Sequence, residues 1–300
     1  MGLEEEVSSR LEVRRLRDPS EYRKIVDVMM EVWGMKDSRA VVAHHLLIAA
    51  DRRGGLVLGA FDRDTGELLG FCFGIPALTG NGKLYHYSHM TGVVPRCRYK
   101  GVGYALKLEQ RKLVLEQGLD LIAWTYDPLQ APNAKFNIAK LGAVVRKFYV
   151  NYYGELIDSI NYGMPTDRFE AEWWIKSKRV ELRLSRSQRP PDLERILQMG
   201  AEVVTRTREV GGLRLLESFE KRASAETVLV EIPRAIEPLR GAGDALSAWR
   251  LGLRELFEEY INGSNYVVVD FVCHEESGRC FYVLWRRDLE KILEEGEPWR

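Results

Sequence analysis

The stretch from Gly92 to Leu106, GVVPRCRYKGVGYAL, constrains the fold more than any other part of the chain. An apolar run ends at Pro95, which lacks the N–H group that a strand ladder needs to continue. Gly101 and Gly103 tolerate positive φ and let the backbone approach a neighbouring group closely. The residues that follow have the spacing of a helix. The sequence therefore predicts a strand, a tight turn and a helix in immediate succession.

The predicted turn also carries two cations, Arg98 and Lys100. The first N–H groups of a helix and the positive end of its dipole attract phosphate, and the arginine fork suits phosphate oxygens. We therefore expect this turn to hold a phosphate group. A tight turn with two solvated basic side chains is the alternative that these residues leave open.

Predicted strands and helices alternate over the first 178 residues. The pattern predicts a strand near residues 11–16, two helices, a hairpin around 62–67, and a strand that ends at Pro95. A helix over 102–117, a strand, a helix that ends at Gly142 and two further strands follow. The short hairpins predict antiparallel pairing, and the strand–helix–strand unit over 84–126 predicts a right-handed parallel crossover. The expected fold class is therefore α/β with a mixed sheet.

The pattern loosens after this point, and the stretch SRSQRPPDLERI carries adjacent prolines and many charges. We expect one domain at 1–178 and a C-terminal α/β region at 190–300. The sequence pattern of that region predicts a strand, an amphipathic helix in DALSAWRLGLRELFEEYI and a terminal hairpin. It lacks the glycine turn of the first domain. It could be a divergent second copy of that domain, a structural scaffold or a dimer surface, and the sequence leaves all three interpretations open.

Charge and composition narrow the classes of partner. The net charge is zero and the pI is near 7.0, whereas general nucleic-acid or anionic-membrane binding needs a basic surplus. The sequence has no apolar stretch long enough to span a membrane, and its acidic N-terminus does not resemble a secretory signal. We expect a cytoplasmic protein with neither nucleic acid nor membrane as partner.

The four cysteines have no CxxC spacing, so we expect no metal site. Cys273 and Cys280 flank a predicted hairpin turn in which residue 274 pairs with 279. In that register the two cysteines face each other. A cross-strand disulfide and two buried free thiols are both open, and the free thiols are the more ordinary state for cysteines of a cytosolic protein.

The glycine turn resembles the coenzyme A pyrophosphate signature of the GNAT N-acetyltransferase superfamily. That signature is Arg or Gln, two residues, Gly, one residue, and Gly or Ala, after a strand that contains Val. The similar order of elements extends from residue 11 to about 175, and WTYDPLQAPNAKFNIAKLGAVV and NYGMPTDRFEAEW are similar to a subgroup of predicted acetyltransferases. Tyr99 departs from the Gly found in many members, although its amide can still donate. The matching residues are Val93, Val94, Pro95, Arg98, Gly101 and Gly103.

The resemblance implies a GNAT-like acyl-CoA N-acyltransferase fold with a C-terminal α/β extension. It implies that the pantetheine arm adds to the strand that ends at Val94 through main-chain hydrogen bonds. The pyrophosphate would lie on the backbone amides of the turn from Arg98 to Gly103. The co-substrate would be acetyl-CoA or another acyl-CoA, with no metal. The implied binding residues are Val93, Val94, Arg98, Tyr99, Lys100, Gly101, Val102, Gly103, Asn133 and Asn137.

The family's acid for the leaving thiolate is commonly a Tyr on the helix after the second strand of the site, four residues before the glycine that closes that helix, which is Gly142 here. Ile138 occupies that position here, so the usual acid is absent or displaced. Asn137 lies beside it and can donate a hydrogen bond, but it cannot protonate a thiolate. Tyr153, in the tyrosine-rich stretch FYVNYYG, is the candidate acid, although aromatic strands more often form core.

Two residues near strand ends are candidate bases. His89 lies four residues before Val93 and is expected on the same strand face, with an ordinary pKa suited to accepting a proton near neutrality. Asp127 ends the next strand and would bind a substrate ammonium or accept a proton through water. The alternatives are a histidine at the rim of the core and an Asp-Pro turn cap.

These observations favour an acyl-CoA-dependent N-acyltransferase. It would move an acetyl or other short acyl group to the amine of a small molecule or an amino acid by direct attack. A non-catalytic acyl-CoA-binding sensor or interaction module is the alternative, favoured by Ile138 and by the unexplained C-terminal half. A homodimer is compatible with the sequence.

Overall fold

The computed structural model describes residues 10–35, 41–98, 100–154, 164–185 and 192–295. They form two compact units, one with the described residues up to Trp124 and the other with those from Thr125 onward. This division differs from a boundary at 178–190, because a strand before residue 178 pairs with a strand after residue 190. The expected division into a domain at 1–178 and a region at 190–300 stays a prediction.

The first unit is built on a sheet with strand order β1-β2-β3-β4-β5. Pairing is antiparallel as far as β4, which confirms the predicted hairpin. The parallel pairing of β4 with β5 is also confirmed, and the right-handedness of their connection stays a prediction. Only the last two residues of β5 belong to the second unit. The strands are β1 Leu11–Arg15, β2 Leu56–Asp62, β3 Leu68–Leu78, β4 Leu84–Val93 and β5 Leu121–Tyr126.

Helices cover the two faces of this sheet. On one face α1, Pro19–Trp33, begins at Asp18, whose side chain accepts a hydrogen bond from the Ser20 N–H, and it precedes α2, His44–Arg52. Its apolar stripe packs on one set of β2 and β3 side chains, which includes Phe71 and Phe73. On the other face α3, Val102–Glu116, packs Leu106 against Cys72 and its neighbours.

A β-bulge interrupts β4 where it faces β3. Phe73 pairs with Met90 but Ile75 pairs with Tyr87, so Gly74 alone opposes two residues of β4. A Cβ atom on Gly74 would lie 2.2 Å from Nε2 of His86, far inside van der Waals contact. Glycine is therefore required there, and the bulge turns the side chains that follow it to the other face.

The second unit has a sheet of order β7-β6-β12-β13-β11-β8 and a separate hairpin of β9 and β10. The predicted terminal hairpin, β12–β13, is confirmed and lies inside the sheet. The strands are β6 Val144–Tyr149, β7 Arg168–Trp174, β8 Glu202–Val203, β9 Thr205–Val210, β10 Leu213–Phe219, β11 Thr227–Ile232, β12 Val267–His274 and β13 Arg279–Trp285.

The helices of the second unit include several that periodicity did not predict. The predicted helices are α4, Ala131–Ala134, which continues as a π-helix over Lys135–Lys140, and α7, Ala245–Phe257. The helices that were not predicted are α5 Lys178–Leu184, α6 Leu193–Gln198 and α8 Leu289–Glu295. These are short, with six or seven residues each, so they show too few turns for a clear 3.6-residue repeat.

Cys273 and Cys280 form a disulfide across β12 and β13. The register is the predicted one, with His274 opposite Arg279 and the two Cα atoms 4.1 Å apart. The alternative of two buried thiols is therefore wrong. Among the described residues the free cysteines are Cys72 and Cys97.

Within the described ranges, no helix is long and apolar enough to cross a membrane. Over the same residues, no group of three or more His, Cys, Asp or Glu side chains has the arrangement of a metal site.

Candidate functional site

The turn between β4 and α3 has the backbone that an anion site needs. Pro95–Cys97 form one 3-10 turn, and Gly101 then caps α3 with φ +87° and no side-chain hydrogen bond. The first helical bond of the cap runs from the Ala105 N–H to the Gly101 carbonyl, 3.0 Å. Because the earlier N–H groups of a helix have no intrahelical acceptor, those of the first turn are directed at the space in front of α3.

The two glycines of the turn serve different purposes. Gly101 needs its positive φ, and a Cβ there would meet nothing within 4 Å. Gly103 is helical, and a Cβ there would make an ordinary 3.7 Å contact with Val93. The predicted use of positive φ therefore holds at Gly101 only. Among the described residues, the space in front of Gly101 is open, so the approach to the helix N-terminus is clear there.

The basic side chains of the turn differ in their anchoring. Nη2 of Arg98 donates to the Val32 carbonyl at 2.9 Å, which ties the turn to the end of α1 and leaves the guanidinium charge in place. Arg96 forms ion pairs with Glu31 and Glu67 instead. Lys100 is half-buried, and Tyr99 lies outside the described residues.

One edge of β4 is paired over most of its length, whereas the other is paired only at its start. Val93 pairs with Gly70 of β3, and the N–H of Val94 donates to Leu69 at 3.0 Å. Towards β5, the registered pairs are His86 with Ile122 and Tyr87 with Ala123. In the first unit, the described part of β4 from Ser88 to Val93 therefore has no β5 partner.

His89 lies on the opposite face from Val93, so the predicted shared face is wrong. The bulge breaks the two-residue alternation of side chains along β4. The ring of His89 lies 5.8 Å from the ring of Phe73, which belongs to the core under α1. Val93 instead packs on the face that α3 covers. The imidazole of His89 also lies 6.1 Å from the ring of Tyr87. The side chain remains accessible, and desolvation by these neighbours lowers the pKa of His89, which favours the neutral, proton-accepting imidazole.

Asp127 lies in the second unit and is buried in a paired state. Its two oxygens accept hydrogen bonds from Nη1 and Nη2 of Arg250 at 2.7 and 2.8 Å. Oδ1 also accepts from the N–H of Leu129, as the turn-cap alternative predicts. A catalytic role would require this pairing to break. Nothing local in the sequence signals an arginine 123 residues away.

The candidates on α4 and its π-helix differ in exposure. Asn133 is exposed, Asn137 is buried, and Ile138 is fully buried with no polar atom to offer. π-helical turns occur frequently at functional sites, and this one spans both Asn137 and Ile138. Their predicted roles stay predictions.

Tyr153 is partly exposed in the second unit, with its hydroxyl 3.0 Å from the Thr125 hydroxyl. The Arg168 guanidinium lies 5.6 Å from its ring centre. Asp167 and Arg168 are both buried, and Asp167 accepts hydrogen bonds from Arg254 at 2.9 and 3.1 Å.

A buried polar cluster in the first unit was missed at the level of sequence. It comprises His86 and Ser88 of β4 and Lys107 and Gln110 of α3, each at most 3% exposed. Burial lowers the pKa of His86 to about 3, so its ring is neutral. The available signal was Lys107 and Gln110 three residues apart on the helix, but only the tertiary fold reveals that they point inward.

Several solved structures are similar to this chain in fold, and one of them is assigned to the GNAT family of acetyltransferases. One, a protein assigned to that family from Desulfovibrio desulfuricans, is 16% identical, covering 55% of this chain and 99% of its own, with a TM-score of 0.44. Arabidopsis thaliana Naa50, bound to a bisubstrate analogue, is 17% identical over 54% and 97%, TM-score 0.43. Chaetomium thermophilum Naa20, also bound to such an analogue, is 14% identical over 60% and 93%, TM-score 0.45. Neither a family model nor a curated protein sequence matches the chain.

Proposed function

We propose that this protein is an acyl-CoA-dependent N-acyltransferase that acylates the amine of a small molecule or an amino acid. The observation that carries the proposal is the turn from Arg98 to Gly103. It combines a positive-φ glycine cap, an open approach and a cation at the start of a 15-residue helix. That combination suits a pyrophosphate better than a plain structural turn, which needs neither the open approach nor the charge.

Binding would use main-chain groups first. The N–H groups at the start of α3 would donate to the pyrophosphate oxygens, with Arg98 and Lys100 adding charge. The β4 edge from Ser88 to Val93, which lacks a β5 partner in the first unit, offers N–H and C=O groups to the amides of the pantetheine arm.

The reaction would be direct attack of the amine on the thioester carbonyl. The ammonium form of the acceptor must first lose one proton. The N–C bond then forms, the C–S bond breaks, and the leaving thiolate takes up a proton equivalent to the second one that the acylated nitrogen releases. His89 is the accessible neutral base near the bulge of β4 and is our candidate for the first of these protons. Asp127, Tyr153, Asn133 and Asn137 stay predictions.

A second candidate function is acyl-CoA binding without catalysis. Ile138 favours it, because a fully buried aliphatic side chain stands where the related enzymes commonly carry their acid. A binder and an enzyme differ in turnover. The enzyme releases free CoA faster when the correct amine is added, whereas the binder leaves the thioester intact with every amine.

The first experiment is thermal unfolding with CoA, acetyl-CoA and succinyl-CoA, for wild type and Gly101→Glu. Gly118→Glu is a matched control: Gly118 follows the other end of α3, also has positive φ, and a Cβ there also meets nothing within 4 Å. Both variants add the same strain and charge, about 24 Å apart along the helix. A ligand at 100 times its Kd stabilises by about 2.7 kcal/mol, a shift of a few degrees.

We expect the shift in wild type and Gly118→Glu and its loss in Gly101→Glu. Equal shifts in the three proteins would remove the turn from the binding site, and no shift in folded wild type would overturn the proposal. An amine panel with a thiol reagent then separates enzyme from binder. Amino acids, polyamines and short peptides should be included, with the acyl donor that gives the largest shift.

A further inference from the structure

The buried cluster of His86, Ser88, Lys107 and Gln110 links α3 to the bulge of β4. Nζ of Lys107 donates to Oγ of Ser88 at 3.1 Å and to Oε1 of Gln110 at 2.9 Å. Nε2 of Gln110 donates to the same Ser88 oxygen at 3.1 Å and lies 3.2 Å from Nε2 of His86. Two helix side chains therefore meet on the one hydroxyl at the bulge.

The cluster is enclosed on its remaining sides. The ammonium of Lys107 lies 3.7 Å from the ring centre of Trp124, and Sγ of Cys72 lies 3.7 Å from the Ser88 hydroxyl. Gly74, opposite the bulge, leaves the space that His86 occupies. Among the described residues, Cys72 and His86 interact electrostatically with Lys107. Burial lowers the pKa of the ammonium to about 8 and outweighs the opposing effect of Cys72.

An aliphatic cluster would fill this space without the desolvation of an ammonium, which is costly in a protein interior. Packing therefore does not explain the lysine. Its hydrogen bonds do: they hold Ser88, one of the two β4 residues that Gly74 opposes at the bulge. The same helix carries the proposed pyrophosphate turn at its N-terminus, so one rigid element holds both.

We propose that Lys107 is a positioning residue that, through Ser88, fixes the bulge of β4 in the shape that binds the pantetheine arm of coenzyme A. The inference rests on the proposed function and adds a residue to it. Lys107 does not touch the ligand; it sets the direction of the main-chain groups that do.

Lys107→Met tests this, because it keeps the length and volume of the side chain and removes the charge. The probes are CoA and 3′-phospho-ADP, which shares the nucleotide and the pyrophosphate but lacks pantetheine, each titrated by calorimetry. We expect Lys107→Met to weaken CoA about tenfold, the value of one charge-assisted hydrogen bond, and to leave 3′-phospho-ADP within about twofold. Gly101→Glu should weaken both.

Ser88→Ala provides the second variant, since it removes the acceptor while keeping the ammonium. Ser88→Ala should lose at least as much CoA affinity as Lys107→Met, because it removes the acceptor for both Lys107 and Gln110, and the double variant should lose no more than Ser88→Ala. Equal CoA affinity in wild type and folded Lys107→Met, or equal losses for CoA and 3′-phospho-ADP, overturns the inference. Failure of folded wild type to bind either probe instead overturns the proposed function itself.

Discussion

At the scale of single residues, Lys107 makes the stability of the protein depend on pH. Burial lowers its pKa from 10.5 to about 8, so between these values the unfolded chain binds a proton that the folded chain does not. The free energy of unfolding therefore gains a contribution that rises with pH over this window, by at most about 1.4 kcal/mol per pH unit.

We expect the free energy of urea unfolding to rise more between pH 8 and 10 in the wild type than in Lys107→Met, since the raised pKa values of buried tyrosines such as Tyr126 and Tyr282 oppose the rise equally in both proteins. The comparison is of the change with pH within each protein, so it is independent of the packing that the substitution alters. Lys112→Met, an exposed position on the same helix, should retain the wild-type rise. An identical rise in Lys107→Met would contradict the assignment of this lowered pKa.

Gly74 is the second residue whose identity the fold dictates. A methyl group there collides with the His86 ring at 2.2 Å and with the Tyr87 carbonyl at 2.7 Å. Gly74→Ala should lower the free energy of unfolding by about 2–4 kcal/mol, in the range of severe overpacking. Gly80→Ala, where nothing lies within 4 Å of the added carbon, is the control and should stay within about 0.5 kcal/mol of wild type in chemical denaturation.

At the scale of elements, the β12–β13 disulfide closes a short loop. The two half-cystines are seven residues apart, so the cross-link restricts the unfolded chain by roughly 2 kcal/mol. Reductant, or Cys273→Ala with Cys280→Ala, should lower the denaturation midpoint accordingly. The double variant at Cys72 and Cys97 should keep its sensitivity to reductant, and an unchanged wild-type midpoint after complete reduction would refute this estimate.

The sequence predicted the longer elements and missed local departures from regularity. Pro95, Gly101 and the helical spacing after Gly103 were enough to place the turn, because backbone restriction is local. The bulge was missed, since it depends on which β3 residue faces Ser88 and on the ring that Gly74 admits. The inverted face of His89 follows from that one unpredicted residue.

At the scale of the whole molecule, long-range ion pairs carry information that no local pattern contains. Asp127 and Arg250 lie 123 residues apart and form a buried bidentate pair, while Asp167 finds Arg254 one helical turn further along α7. Sequence reasoning therefore placed Asp127 at a strand end correctly but could not foresee that its carboxylate was already engaged.

Asp127→Asn should lower the free energy of unfolding by about 3–5 kcal/mol, because it leaves the buried Arg250 charge without the carboxylate that it binds. Asp127→Leu with Arg250→Leu removes both charges and should be milder than the single variant. The matched measurement is chemical denaturation of the three proteins. A single variant as stable as wild type would mean that the pair is not formed.

Within the second unit, β6 pairs with β7 on one side and with β12 on the other, across a long interval of chain. A recombination event between related genes at residues 178–190 would therefore part strands that share one sheet. Each product would expose an unpaired edge, the kind of surface on which chains aggregate. Residues 178–190 are therefore a poor boundary for natural recombination or for the engineered exchange of segments. The coding regions on the two sides of it are expected to be inherited together.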